Sequence, residues 1–329
     1  MFFMSVIILV AAYSVSRIFL DLHQIKYIKS THISDDELNL IKLNQEYVEK
    51  SKLYNIEKLY LSVFNTVIKS SIIIIFLAFD GISLFGNISN IINIFTINIE
   101  VFNIILFIVI LTLIDLPFSY YKIFFIENHY GFNRQSKLLF FKDLILSLTI
   151  SLIILSMLFI VFNKLYNIYV NDWWLYMWLI VIVFNTLVIY LFPIIISPLF
   201  NSFKKINDEE IISEIKDLSD KTNFNISNVY VMDGSKRSNH SNAYFTGFYK
   251  NKRIVFYDTL IDLLTPSEIR SVLAHEIGHY MKKHIMQSMI ISFFMSLLFF
   301  YIIYQIISIE IFFEDLGIDK GSSSQVVIL

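Results

Sequence analysis

The chain has 329 residues, with 26 Lys and Arg against 28 Asp and Glu, so a formal charge of −2 and no long basic run give no reason to expect nucleic acid as a partner. It is 56% hydrophobic and only 16% charged, where a soluble globular domain carries roughly 25% charged residues, so a lipid bilayer is expected to solvate much of it. There is no cysteine, which excludes disulfides and thiolate metal ligands and leaves His, Asp and Glu as the plausible ones.

Apolar runs of about 20 residues, long enough to cross a hydrocarbon core, lie near 2–20, 59–79, 100–118, 144–162, 174–192 and 285–309. The first has no basic residue ahead of its apolar core, so it is read as a retained span rather than a signal peptide. Trp173 and Trp174, with Trp178 below them, suit an interfacial belt. Lys69 falls inside the second span and Asp115 near the end of the third; such charges are expected to face a bundle interior or a wet cavity, although Asp115 also suits the interface. Twenty-two basic residues fall in the loops after spans one, three and five, and two in the alternate loop and the tail. By the positive-inside rule the N-terminus is lumenal or extracellular and residues 201–284 are cytosolic. The division expected is 1–199 for five spans and their loops, 200–284 for a wet domain, and 285–329 for a sixth span with a lumenal tail.

Within the wet segment, Asn207 is the expected cap of a helix running to about Lys221, with Ile211, Ile212, Ile215 and Leu218 on one face. Strands are expected over 229–232, 243–248 and 253–257, the last two joined by a turn around Lys250 and Asn251. Thr265-Pro-Ser-Glu268 then reads as a capping box opening a helix. On that helix, His275, Glu276 and His279 spell His-Glu-x-x-His. Positions i and i+4 lie about 40° apart, so both imidazoles can reach one zinc ion. Zinc lowers the pKa of a water it binds to about 7, and Glu276 stands beside the same pole, where it can take that water's proton as the oxygen attacks a peptide carbonyl. The helix runs almost directly into the sixth span, which places the site at the membrane boundary. The fold class expected is an α-helical multi-pass membrane protein with a cytosolic α/β zinc-peptidase domain, a short sheet plus the His-Glu-x-x-His helix.

Four blocks narrow this further: Leu116-Pro-Phe-Ser-Tyr-Tyr through Ile126-Glu-Asn-His-Tyr-Gly-Phe-Asn-Arg-Gln135; Pro193-Ile-Ile-Ile-Ser-Pro-Leu-Phe-Asn201; Val229 through Phe248, containing Ser235-Lys-Arg-Ser-Asn-His-Ser-Asn-Ala-Tyr-Phe-Thr-Gly-Phe248, with Asn251 to Asp258; and Val272 to His284. With the span pattern, they make the chain resemble the type I CAAX prenyl proteases, zinc endoproteases of the endoplasmic reticulum membrane. The resemblance implies one zinc ion held by His275 and His279, Glu276 as general base, and Asn242 and Ala243 holding the substrate backbone. It implies removal of the last three residues from prenylated CAAX C-termini, a substrate already partitioned into the bilayer. An extended segment before the zinc helix suits this, because an unpaired edge can accept a substrate as one more strand. Ser235, Lys236 and Arg237 read as simple loop residues, and His240 as a structural hydrogen-bonder or a pocket residue. The Gly131-Phe-Asn block is expected near the catalytic domain, with no chemical role of its own.

The family's third ligand is a Glu from a helix beyond a seventh span, and the sequence stops at Leu329 before one is reached; residues 325–329 look like the start of that span. The expectation is therefore a truncated chain with half a zinc site. His284 lies about 140° around an unbroken helix from His279 and reads as a juxtamembrane polar residue. Glu310, Glu314, Asp315 and Asp319 follow the sixth span and are expected across the membrane. The alternatives are a heat-shock-type membrane quality-control metalloprotease, which the Asn242–Phe248 block fits less well, and a catalytically inactive scaffold or binding protein.

Overall fold

The apolar runs become long helices in the computed structural model, which describes residues 2–36, 38, 44–79, 81, 99–222, 229–246, 253–309 and 327. Among these residues six helical stretches are long and apolar enough to cross a membrane, and each contains nearly all of one expected span. The helices also extend into polar flanks. α1 is Phe2–Ser30, and α2, Gln45–Ala78, starts well before its apolar run because the Asn44 side chain caps it, accepting from the Tyr47 amide at 2.8 Å. α3 is Ile99–Tyr121, followed by a π-helical turn over Lys122–Glu127; α4 is Lys137–Ile168 and α5 is Trp173–Leu191. A second π-helical turn, Phe192–Ile196, contains Pro193, which has no amide hydrogen to give a regular helix.

Residues 1–131, 145–168 and 303–329 form one compact unit. Within it α1 packs along α2, and the polar side chains of Ser14 and Asp21 are buried there. Asp21 is buried and accepts a hydrogen bond from Ser62 Oγ at 2.7 Å. Lys69 and Asp115 form an ion pair between α2 and α3, so Asp115 serves as the partner of an intramembrane cation. Both charges stay partly exposed.

Residues 132–144 and 169–302 form the second unit. After the short α6, Ser197–Phe200, comes β1, Phe203–Lys205, a strand too short to stand out in the sequence. α7 is Glu209–Thr222; Asp208 caps it in place of Asn207, its Oδ1 accepting from the amides of Glu210 and Ile211 at 3.0 and 3.1 Å. Ile211, Ile215 and Leu218 are buried, whereas Ile212 is exposed, because the i, i+4, i+7 stripe leaves it to one side. β2 is Val229–Met232, β3 is Ala243–Thr246 and β4 is Arg253–Tyr257. The turn expected at Lys250 and Asn251 lies outside the described residues, but β3 and β4 pair antiparallel from Ala243↔Phe256 to Thr246↔Arg253, as a hairpin requires. The sheet order is β1-β2-β4-β3, with β1 antiparallel to β2 and β2 parallel to β4.

α8, Asp258–Leu263, leads to α9, Pro266–Met281, and α10 follows as His284–Ile307. One face of the sheet, through Ile254 and Phe256, packs with α7 and α9 into a core whose centre is Phe256 and Leu273, both fully buried. Arg270 ties α9 to α7 through Glu214 and Asp217 at 3.0 and 2.8 Å. The tryptophans expected at the interface stand at the start of α5 and one turn into it. Trp173 is buried, and the half-buried Trp178 gives its indole N–H to Ser296 Oγ at 3.2 Å.

Candidate functional site

α9 is oriented by its own apolar stripe. Ile269, Leu273 and Ile277, at i, i+4 and i+8, are buried against the sheet and α7. At 100° per residue, His275 stands about 160° from Leu273, and His279 about 160° from Ile277. The packing that buries the three aliphatics therefore turns both imidazoles outward, and both are exposed. The helix start is fixed by the expected box: the Glu268 carboxylate accepts from the Thr265 amide at 2.9 Å and from its hydroxyl at 2.8 Å. Glu268 is thus occupied a full two turns from the histidines.

The two rings converge. His275 Nε2 and His279 Nε2 are 3.0 Å apart, with ring centroids at 4.7 Å. Two nitrogens on one tetrahedral zinc at about 2.05 Å each would be about 3.3 Å apart, so the pair needs a shift of only a few tenths of an ångström to share an ion. Imidazole nitrogen is also a ligand zinc favours. Glu276 is half-buried and lies about 60° around the helix from His279, on the side of the pair. Among the described residues no set of three His, Cys, Asp or Glu side chains gathers into a metal site, and Glu310, Glu314, Asp315 and Asp319 lie outside those residues. The described chain fits a metal ion as two of its ligands.

β3 is the outermost strand, with no further strand beside it among the described residues, and α9 packs against it. The Asn242 carbonyl accepts from the Tyr257 amide at 2.9 Å, which turns the backbone of Asn242 toward β4. By strand alternation Ala243 turns its amide and carbonyl the other way, to the open edge. That amide is held at 2.9 Å by Asn242's own Oδ1. Asn242 and Ala243 thus stand at the sheet edge with this amide bonded locally, and Ala243 itself is part of the buried core.

The loop before β3 is built more firmly than its reading as simple loop suggests. Ser235 gives its amide to Asp258 Oδ1 at 2.8 Å, and its hydroxyl bonds Asp258 Oδ2. Arg237 forks onto Asp143 through Nε at 2.7 Å and a terminal nitrogen at 2.8 Å, and gives its other terminal nitrogen to Asn201 Oδ1 at 2.9 Å. The Asp143 bond is the main reason the guanidinium is held still more firmly protonated than usual. Gln135 donates to the same carboxylate at 2.9 Å, Asn239 N to the Phe132 carbonyl at 2.9 Å, and His240 stacks on Phe132 at 4.3 Å. Burial alone would raise Asp233, but hydrogen bonds from Lys236 and Ser202 outweigh it and hold its carboxyl below the usual range. Three sequence blocks, around 132–135, Asn201 and 235–240, thus meet on one arginine. The available signal was a single carboxylate, Asp143, at the foot of an apolar run, and it names no partner.

Nor does His284 sit where an unbroken helix would put it. Lys283 takes φ +55°, the helix breaks there, and His284 Nδ1 comes 2.7 Å from His279 Nδ1.

Comparison with known proteins bears on both the spans and the site. Residues 24–202 match the family model described as CAAX prenyl protease N-terminal, five membrane helices, and residues 205–328 match peptidase family M48. The chain is 38% identical to CAAX prenyl protease 1 of Saccharomyces cerevisiae over 65% of this chain and 48% of that protein. It is 32% identical to the CAAX prenyl protease 1 homolog of Arabidopsis thaliana, over 83% of this chain and 66% of that one. The chain therefore spans about half to two thirds of the length of these curated relatives. The crystal structure of Ste24p from S. mikatae superposes with TM-score 0.84 at 31% identity, covering 92% of this chain and 73% of the other.

Proposed function

The chain belongs to peptidase family M48, with the five-helix N-terminal region of the CAAX prenyl proteases, and from that premise we propose that the protein is a zinc endopeptidase of the endoplasmic reticulum membrane. It acts from the cytosolic side on prenylated proteins and removes the C-terminal tripeptide of their CAAX sequence. The observation that carries this reading is the convergence of His275 and His279 at 3.0 Å on a helix that leads directly into a membrane span. A lipidated C-terminus is already confined to the bilayer surface, so a site at the foot of a span meets its substrate in two dimensions.

In this reading His275 and His279 hold zinc through Nε2, with a further ligand from outside the described residues. When bound, zinc polarises the scissile carbonyl and makes water acidic enough to lose a proton near neutral pH. The Glu276 carboxylate takes that proton and returns it to the leaving amine. Asn242 and Ala243 hold the substrate backbone as an added strand along β3, which fixes the register of the bond to be cut. The five-helix N-terminal region favours a prenyl protease over a quality-control metalloprotease.

The test is cleavage of a farnesylated CAAX peptide by the full-length protein, with an unprenylated peptide of the same sequence alongside. Release of the terminal tripeptide is expected from the first and far less from the second. Equal cleavage of both would remove the prenyl-protease reading and leave a general metallopeptidase.

A further inference from the structure

His279 is a ring with both nitrogens engaged. Its Nε2 faces His275 Nε2 at 3.0 Å, and its Nδ1 faces His284 Nδ1 at 2.7 Å, with the two outer rings both roughly perpendicular to it. The second contact exists only because the chain breaks between α9 and α10. Helical bonding runs as far as Lys282, whose amide reaches the Gly278 carbonyl at 3.0 Å, and resumes when the Lys283 carbonyl accepts from Gln287 at 3.0 Å. Between them Lys283 stands at φ +55°, the one positive φ among the described non-glycine residues. A side chain in the left-handed region is unfavourable, and such residues persist where the surroundings over-determine them. Here the break turns His284 back from about 140° around the helix onto the ring of His279.

We propose that His284 is a positioning residue for the metal centre: it accepts a hydrogen bond from His279 Nδ1–H and so fixes His279 with bare Nε2 turned to the ion. The proposal rests on the zinc reading above. An imidazole that ligates through Nε2 must carry its proton on Nδ1. A hydrogen-bond acceptor at Nδ1 sets that tautomer, locks the ring's rotation and makes Nε2 a better donor to metal. Most such acceptors are carboxylates, carbonyls or water; in this chain the unprotonated Nδ1 of a second imidazole fills the place. His284 does not join the ion in this arrangement, because it meets the far nitrogen of the ring.

The experiment measures zinc affinity, by competition with a chromophoric chelator, on the full-length protein in detergent. His284→Ala should weaken zinc binding by roughly 10- to 100-fold, the usual cost of losing such a partner. His284→Asn, whose amide oxygen can accept the same bond, should recover most of that loss. Thermal unfolding of the metal-free variants accompanies both, since a folding defect would move it and lost positioning would not. Equal affinity in His284→Ala and the wild type overturns the proposal, as does an equal loss in both variants. His275→Ala and His279→Ala serve as controls: if the wild type binds zinc no better than they do, the zinc reading itself fails, and that outcome is distinct from the other two.

Discussion

Asn242 holds the amide of Ala243 with its own side chain on the open edge of β3. In the proposed reading, a substrate strand laid there would exchange this local bond for bonds of its own, and the asparagine amide would reach the added backbone. Asn242→Ala removes one hydrogen bond from that encounter and touches neither histidine. At about 1–1.5 kcal/mol for a hydrogen bond, kcat/KM for an extended peptide should fall roughly tenfold with zinc content unchanged. A measured kcat/KM equal to the wild type would remove Asn242 from substrate binding. At this scale the sequence is most legible where helical spacing decides, as in the i, i+4 placement that brings His275 and His279 together. It is least legible where a backbone angle decides. His284 was read on an unbroken helix, and nothing in Lys282-Lys283 marks the left-handed turn that brings it back to His279.

The elements around the site are joined by ion pairs as well as by apolar packing. Arg237 connects the loop before β3 to Asp143 at the start of α4 and to Asn201 after α6. Arg237→Ala leaves Asp143 with Gln135 and frees the loop that delivers Asn242. The unfolding free energy should drop by roughly 1.5–3 kcal/mol, the range for hydrogen bonds to charged groups. Arg237→Lys should rescue little of it, because an ammonium cannot fork onto both carboxylate oxygens. Denaturant unfolding in detergent reads both, and a loss under about 0.5 kcal/mol, typical of an exposed pair, would mean the clasp is ornamental. Helices and their periods were readable from patterning: Ile211, Ile215 and Leu218 are buried as expected, and Thr265 with Glu268 forms its box. Strand order was not. The parallel pairing of β2 with β4 and the addition of β1 depend on contacts between distant residues that no local pattern records.

At the largest scale, the described residues comprise six apolar helical stretches, a small four-stranded sheet and a helix carrying His275 and His279 that leads into the sixth stretch. The spans were legible because hydropathy over about 20 residues is a strong signal, and the charge bias adds an orientation. With twenty-two basic residues in the loops on one side and two on the other, residues 201–284 should face the cytosol. The chain has no cysteine, so a single one introduced at Asn251 can be labelled against a clean background. It should react with an impermeant reagent in sealed, cytosolic-side-out microsomes; protection there would reverse the orientation.

The most direct measurement compares the wild-type protein with Glu276→Gln for both zinc content and turnover of a farnesylated CAAX peptide. The substitution keeps the two imidazoles and the shape of the helix and removes only the base. The account predicts unchanged zinc with turnover lowered by about 10²–10⁴-fold, the range for lost acid–base catalysis. Full activity in Glu276→Gln, with zinc retained, would contradict it.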